Sequence, residues 1–384
     1  MEFVEATQLK NLPSNSHMVV SVNGKDILLF NVNNEISAIG NVCLHKGGPL
    51  GEGKVENKYD GCYVTCPWHG WEYNVKTGSA PPGFADQQAV YDVLVKQGRI
   101  LISVKPKVLP KKAKHKDNPL NDLEELQYQT TSESLNILGI SCTNTNQNLP
   151  RKSTSEKALQ AALDYAKEKY NASIVLMKLS DLEFRHCEGY YSRNEQACTW
   201  PCSISEMDAS DGMNEVYRKM ILWADVLVLA TPIRWGNASS LYYKMAERLN
   251  CVQNQITLQD RILIKNKIAS FIITGGQDNI QQVAGQLMVF FTELGFSLPP
   301  FAFVGWSRGW TAEDMEENVK LFTRSRYIKR SVADLIDNDV KLLHQLKGDP
   351  CLSMASPQPK ISEAPSKVAS KMKEESGAAA WTVG

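Results

Sequence analysis

The chain has 384 residues, 43% of them hydrophobic, and its 42 basic and 42 acidic side chains cancel to a formal charge of zero. That length favours two or three domains, and the neutral balance lays down no general basic footprint for nucleic acid or an anionic membrane. Nine cysteines are too dilute for a disulfide scaffold. The opening Met1-Glu2-Phe3-Val4-Glu5 lacks the basic and apolar regions of a signal peptide. The longest apolar stretch, 221–233, is broken by Asp225 and too short to span a bilayer. The expectation is a protein of the reducing cytoplasm, with no membrane or nucleic-acid partner.

Residues 17–40 alternate in polarity, as half-buried strands do, and Asn23-Gly24 and Asn33-Asn34 are tight-turn signals between them. Residues 90–104 return to strand around a turn at Gln97-Gly98, which predicts a small antiparallel β domain over 1–106. Within it stand Cys43-Leu44-His45 and Cys66-Pro67-Trp68-His69. Two thiolates and two imidazoles in this order can hold a [2Fe–2S] cluster, with sulfur on one iron and nitrogen on the other. Zinc accepts the same donor set, although zinc fingers usually pair Cys with Cys and His with His.

With the flanking Gly47-Gly48-Pro49-Leu50 and Gly70-Trp71-Glu72-Tyr73, roughly the first hundred residues resemble Rieske proteins, specifically Rieske-type ferredoxins and the Rieske domains of ring-hydroxylating oxygenases. The resemblance implies Cys43, His45, Cys66 and His69 as ligands. Respiratory Rieske proteins add a disulfide between the two loops and a serine hydroxyl against a bridging sulfide. Here Gly48 and Trp68 stand at the disulfide positions and Trp71 at the serine. A hydrogen bond to cluster sulfur stabilises the reduced, more negatively charged state, so its loss implies a low potential. Cys62 reads as a strand residue packed in the core.

Residues 107–133, with the run Pro110-Lys111-Lys112-Ala113-Lys114-His115-Lys116, read as a charged linker that holds a short helical stretch over 120–128. From 134 to 346 strands and helices alternate. Strands are predicted at 135–140, 173–177, 225–230, 268–274 and 301–304, and helices at 153–169, 211–223, 238–249 and 279–294, with more helix over 312–346. This order implies a doubly wound parallel sheet, whose ligands bind at the carboxyl ends of its strands. Beyond 347 the composition of Pro, Ser, Lys, Ala and Glu lacks apolar periodicity and predicts a disordered tail.

Three loops of this sheet carry a second resemblance. Thr231-Pro232-Ile233-Arg234-Trp235-Gly236-Asn237 resembles the turn that wraps the isoalloxazine ring in flavodoxin-fold NAD(P)H-dependent FMN reductases and iron–sulfur flavoproteins. Thr274-Gly275-Gly276-Gln277 matches their second ring-contacting loop. Ser141 with Ser153-Thr154-Ser155 matches their phosphate loop, here lengthened by 142–152. Hydroxyls at a helix N-terminus also serve as plain caps. The resemblance implies FMN, with NAD(P)H as reductant and a homodimer or homotetramer. Iron–sulfur flavoproteins place a four-cysteine cluster after the second strand. Here Cys187, Cys198 and Cys202 lie there, the opening pair is broken at Tyr190, and Cys251 is a remote fourth; a second metal centre and unligated thiols both stay open.

The predicted architecture is a small all-β Rieske domain followed by an α/β flavodoxin-like domain. Flavin accepts electrons in pairs and passes them singly, which makes it the adaptor between a hydride donor and a one-electron cluster. The expected activity is an oxidoreductase serving a small-molecule or protein electron acceptor. A non-enzymatic carrier or redox sensor is the alternative. A ring-hydroxylating oxygenase is excluded, because its iron needs two histidines and a carboxylate, and His115, His186 and His344 lie far apart.

Overall fold

The computed structural model describes residues 2–113, 135–144, 153–275, 279–307 and 312–348. The stretch 120–128, most of the phosphate-loop insertion, Gly276, Gln277 and the tail beyond 348 lie outside the described residues.

The first domain is built of short antiparallel strands in three sheets. One has the order β1 (Phe3–Gln8), β10 (Arg99–Ser103), β9 (Val93–Lys96). The second runs β2 (Ser16–Val22), β3 (Lys25–Val32), β4 (Glu35–Gly40), β8 (Val90–Tyr91). The third runs β5 (Lys54–Lys58), β6 (Gly61–Thr65), β7 (Glu72–Asn74). Asn23 and Gly24 take φ of 50° and 73°, and Asn33 and Asn34 take 53° and 64°. Positive φ at both turn residues matches the twist of the flanking strands, so Val22 pairs with Lys25 and Val32 with Glu35. Leu28, Phe30, Ile39, Leu50, Val64 and Tyr73 form an apolar cluster that also buries Cys43 and Cys66, and half-buried Cys62 of β6 packs against it.

The start of the predicted linker belongs instead to this domain. Lys107 N donates to Val90 O at 2.7 Å, Val108 bridges Val90, and Lys111 bridges Gln87. Unpaired backbone at the end of β8 recruits this segment, which the charge run concealed. Lys112 Nζ then reaches His45 O at 3.0 Å.

The second domain is a five-stranded parallel sheet. Its strands are β11 (Asn136–Ser141), β12 (Ser173–Lys178), β13 (Val226–Pro232), β14 (Ile268–Gly275) and β15 (Phe303–Ser307), in the order β12-β11-β13-β14-β15. β11 and β13 alternate between two cores. Ile137, Val226 and Val228 face α1 (Thr154–Tyr170) and the long C-terminal helix. Leu138, Leu227 and Leu229 face Met213, Val216, Tyr217, Val283 and Leu287. Both faces are therefore covered, as near-continuous apolar strands require.

Helix α2 (Ser240–Arg248) does not end the local helix. After Leu249, α3 (Asn250–Gln259) follows, buried through Cys251, Val252, Asn254 and Gln255. Its polar side chains gave no apolar stripe to read. Helix α4 (Ile280–Glu293) precedes β15. The final helical stretch divides around Ser325 into α5 (Ala312–Arg324) and α6 (Arg326–Gly348).

Between β12 and the helix that begins at Met213 the chain makes a long excursion, 179–212, fastened by a buried ion pair. Arg248 and Asp211 are fully buried and bonded to each other, and Arg248 also donates to Arg185 O at 2.6 Å and Ser205 Oγ at 2.7 Å. Removing one partner strands a buried charge. Arg248→Ala should destabilise this domain by about 3–5 kcal/mol in denaturant titration.

Candidate functional site

Two matched turns build the first centre. Gly47 N donates to Cys43 O at 2.9 Å and Gly70 N donates to Cys66 O at 3.0 Å. Both glycines hold positive φ, 83° and 78°, which closes each loop and brings its cysteine and histidine to one side. Cys43 N is tied to Gly48 O at 2.9 Å and Cys66 N to Trp71 O at 2.7 Å. The result gathers the four residues in like pairs. The thiols of Cys43 and Cys66 are near enough to perturb each other's ionisation, and the rings of His45 and His69 stand edge to face with centroids 4.5 Å apart. Gly48 is wedged against both the sulfur and Trp68: a Cβ there would sit 2.8 Å from Cys66 Sγ and 3.0 Å from the Trp68 ring.

The protonation states of the two imidazoles fit a metal cluster. His69 Nε2 lies 2.8 Å from Ala197 O, and His45 Nε2 lies 2.8 Å from Glu206 Oε2. A carbonyl and a carboxylate only accept, so both rings donate from Nε2 and keep a bare lone pair on Nδ1. Both Nδ1 atoms are buried and have no protein partner. Burial pushes His69 down to about 3 and lowers His45, so the rings stay neutral. The nearness of the two thiols drives Cys43 up and brings Cys66 down to about 7, aided by the amides of Trp68 and His69. Among the described residues no three His, Cys, Asp or Glu side chains converge as a site for a single metal ion. Paired thiols and paired bare imidazole nitrogens suit a two-iron cluster better than one zinc.

Tyr73 escaped the sequence reading. Its hydroxyl lies 3.8 Å from Cys43 Sγ, and burial keeps the phenol protonated as a donor. A hydrogen bond from it to the Cys43 sulfur would raise the potential of a bound cluster, against the lowering expected from Trp71, which instead stacks on His45 at 4.0 Å, with planes 10° apart.

The excursion 179–212 of the second domain covers the histidine edge, and it too went unread. Besides the two imidazole bonds, Lys46 Nζ donates to Pro201 O at 2.5 Å and to Thr199 O, and lies 3.6 Å from Glu206. Arg193 donates to Trp68 O at 3.0 Å and to Pro67 O. The Tyr190 ring meets the His69 ring edge-on at 4.7 Å. Burial pushes Glu206 up, but the His45 hydrogen bond and the Lys46 charge outweigh it and hold the group below the usual carboxylate range. The one signal in the sequence was length, since long loops inside compact domains are usually functional.

The cysteines of the excursion lie behind this interface. Cys251, on α3, donates to Arg248 O at 3.5 Å, while Cys198 Sγ accepts from Asn250 Nδ2 at 3.2 Å and Cys187 Sγ from Gly189 N at 3.4 Å.

The flavin loops meet at the carboxyl ends of β11, β13 and β14. Ser153 caps α1 by accepting from Glu156 N at 3.3 Å and pairs with Ser155 Oγ at 2.9 Å; Thr154 opens the helix. Ser141 Oγ donates to Glu156 Oε2 at 3.3 Å, and Lys178 balances that carboxylate at 2.7 Å. Arg234 and Asn237 exchange backbone bonds of 2.7 and 3.0 Å across a turn in which Trp235 and Gly236 hold φ of 50° and 73°. This turn leaves Trp235 92% exposed. Ile233 N donates to Thr274 O at 2.7 Å, and Gly275 sits so close that a Cβ there would lie 2.8 Å from Ile233 Cβ. Thr231 Oγ1 accepts from Ser239 N at 3.1 Å, and Ser239 Oγ donates to Cys142 O at 2.5 Å, which ties the β13 loop to β11. Asn279, which the sequence reading missed, anchors the turn by donating to Gly236 O at 2.6 Å. Hydroxyls at a helix N-terminus beside a flat, exposed turn suit an anionic phosphate attached to a planar ring.

Two outcomes follow for the cluster. Gly48→Ala should lose most of its iron and visible cluster absorbance while flavin content is kept. Tyr73→Phe should lower the cluster midpoint by tens of millivolts in a redox titration, the equivalent of about 1 kcal/mol for one hydrogen bond.

Both halves of the chain have known relatives. Residues 2–89 match the family model of the Rieske [2Fe–2S] domain, and residues 135–311 match that of NADPH-dependent FMN reductase. The chain is 33% identical over 78 residues to the ferredoxin component of the naphthalene 1,2-dioxygenase/salicylate 5-hydroxylase systems of Ralstonia sp, covering 20% of this chain and 71% of that protein. It is 26% identical over 166 residues to 8-demethyl-8-aminoriboflavin-5'-phosphate synthase of Streptomyces davaonensis, covering 41% of this chain and only 59% of that relative's length. A crystal structure of RosB with a bound 8-demethyl-8-formylriboflavin-5'-phosphate intermediate aligns at a TM-score of 0.45 and 20% identity, over 65% of this chain and 90% of that one. The chain therefore belongs to the Rieske [2Fe–2S] family through its first domain and joins to it a domain of the NADPH-dependent FMN reductase family, with a [2Fe–2S] cluster and FMN as the cofactors of the two halves.

Proposed function

We propose that this oxidoreductase takes reducing equivalents from NAD(P)H at its flavin and exchanges them singly with the Rieske cluster inside the same polypeptide, on behalf of a small-molecule or protein acceptor. The observation that carries the reading is the pair of hydrogen bonds from the outer nitrogens of His45 and His69 to Glu206 and Ala197 of the flavin domain. FMN, when bound, accepts a hydride's two electrons together and releases them one at a time.

The protein's own residues do the rest. Ser141, Ser153 and Ser155, gathered at the N-terminus of α1, would hold the phosphate of a bound FMN, and the 231–237 turn with Thr274 and Gly275 would frame its ring. Exposed Arg234, beside Trp235, offers a positive charge to the phosphates of the hydride donor. From His69 a bonded run leads back to that turn: Ala197 accepts from the imidazole, Asn250 and Asn254 of α3 bond to Cys198, and α3 continues into α2 and Ser239. The carrier reading is disfavoured by the same contacts, because the outer nitrogens of both imidazoles are already bonded to the flavin domain.

Anaerobic rapid mixing with NADPH should bleach the flavin band first and the cluster band second, at a rate independent of protein concentration. A second phase that quickens with protein concentration would mean transfer between chains and would sink the reading. Arg193→Ala should slow that phase roughly tenfold, the equivalent of about 1.4 kcal/mol of docking, and leave the first phase unchanged.

A further inference from the structure

Beside the docked imidazoles lies a cavity of about 490 Å³, walled by both domains, a size typical of small-molecule sites. Its walls set aromatic and apolar side chains among acidic ones. Tyr59, Trp71 and Phe84 line it from the β domain and Met207 from the flavin domain. Three of these are among the large apolar side chains left most open to solvent, Phe84 at 59%, Tyr59 at 66% and Met207 at 41%. Leaving such groups exposed around a concavity marks a binding surface rather than a packing error. The floor is the redox centre itself, since His69 and Trp71, the ring stacked on His45, both face the cavity.

Charge narrows the ligand. Glu72, Asp86 and Glu206 line the cavity, and among the described residues no lysine or arginine does. The cations that balance them, Lys58 on Glu72 and Lys46 on Glu206, lie outside its lining. An incoming carboxylate or phosphate would meet acidic oxygens with no partner for its own charge. Flat rings, by contrast, find aromatic faces on which to lie.

We propose that this cleft binds a small, planar, conjugated molecule without negative charge, seated against the imidazole edge of the cluster. Such a ligand gives the proposed function its small-molecule acceptor site; only the direction of electron flow rests on that reading, and binding itself does not.

The test uses the holoprotein loaded with cluster and FMN, and two probes of equal ring size, 2-naphthol and 2-naphthoate. Calorimetry should show one 2-naphthol per chain, with 2-naphthoate about tenfold weaker or worse, a gap of about 1.4 kcal/mol. The electron paramagnetic resonance spectrum of the dithionite-reduced cluster should shift with 2-naphthol. Phe84→Ala and Met207→Ala, both at exposed side chains, should each weaken binding severalfold with iron and flavin contents unchanged. Equal affinity for the two probes overturns the proposal. So does binding that survives the double variant, or that leaves the resonance spectrum unaltered, because either outcome places the ligand elsewhere. Reduction by dithionite keeps the result separate from any failure of NADPH to act as donor.

Discussion

Two imidazole rings decide how this molecule is put together. Each gives its Nε2 proton to an oxygen of the other domain, Glu206 for His45 and the carbonyl of Ala197 for His69. The acceptors fix the tautomer, and the tautomer leaves Nδ1 bare for iron. One pair of hydrogen bonds thus sets ligand chemistry and domain docking together. Removing either acceptor would leave a buried donor unpaired and a ring free to turn.

The second domain is shaped to supply those acceptors. Its sheet, closed on both faces, gives the excursion 179–212 a rigid base, and the buried bond between Arg248 and Asp211 pins the excursion to the end of α2. Helix α2 begins where the 231–237 turn ends. The same helix therefore bears on the flavin loops at one end and on the cover of the iron centre at the other. Lys46 and Arg193 add charge-assisted bonds to backbone carbonyls, which grip the main chain rather than particular side chains.

Much of the fold could be read in the residues because its signals are local. Asn23-Gly24 and Asn33-Asn34 fix two hairpins by backbone preference alone, and the apolar runs of β11, β13 and β14 can be nothing but covered strands. The spacing of Cys43, His45, Cys66 and His69 carries the centre, since each loop closes over four residues. What escaped was settled by distant partners. Tyr73 acts on a sulfur thirty residues away in the chain, and Glu206 on a ring 161 residues away. Lys107 and Lys111 looked like solvated linker because a backbone pairing leaves no mark on side-chain pattern. Helix α3 was hidden by its asparagines and glutamines, of which Asn250 and Asn254 turn to bond Cys198 rather than to add apolar area.

The closed interface has a consequence for how the protein matures. Cys43, His45, Cys66 and His69 are each no more than 6% exposed, and the flavin domain lies over the side from which the imidazoles could be approached. Iron and sulfide would therefore enter most readily while the halves are apart, since the closed pair leaves only the side of His69 and Trp71 that faces the cavity between them.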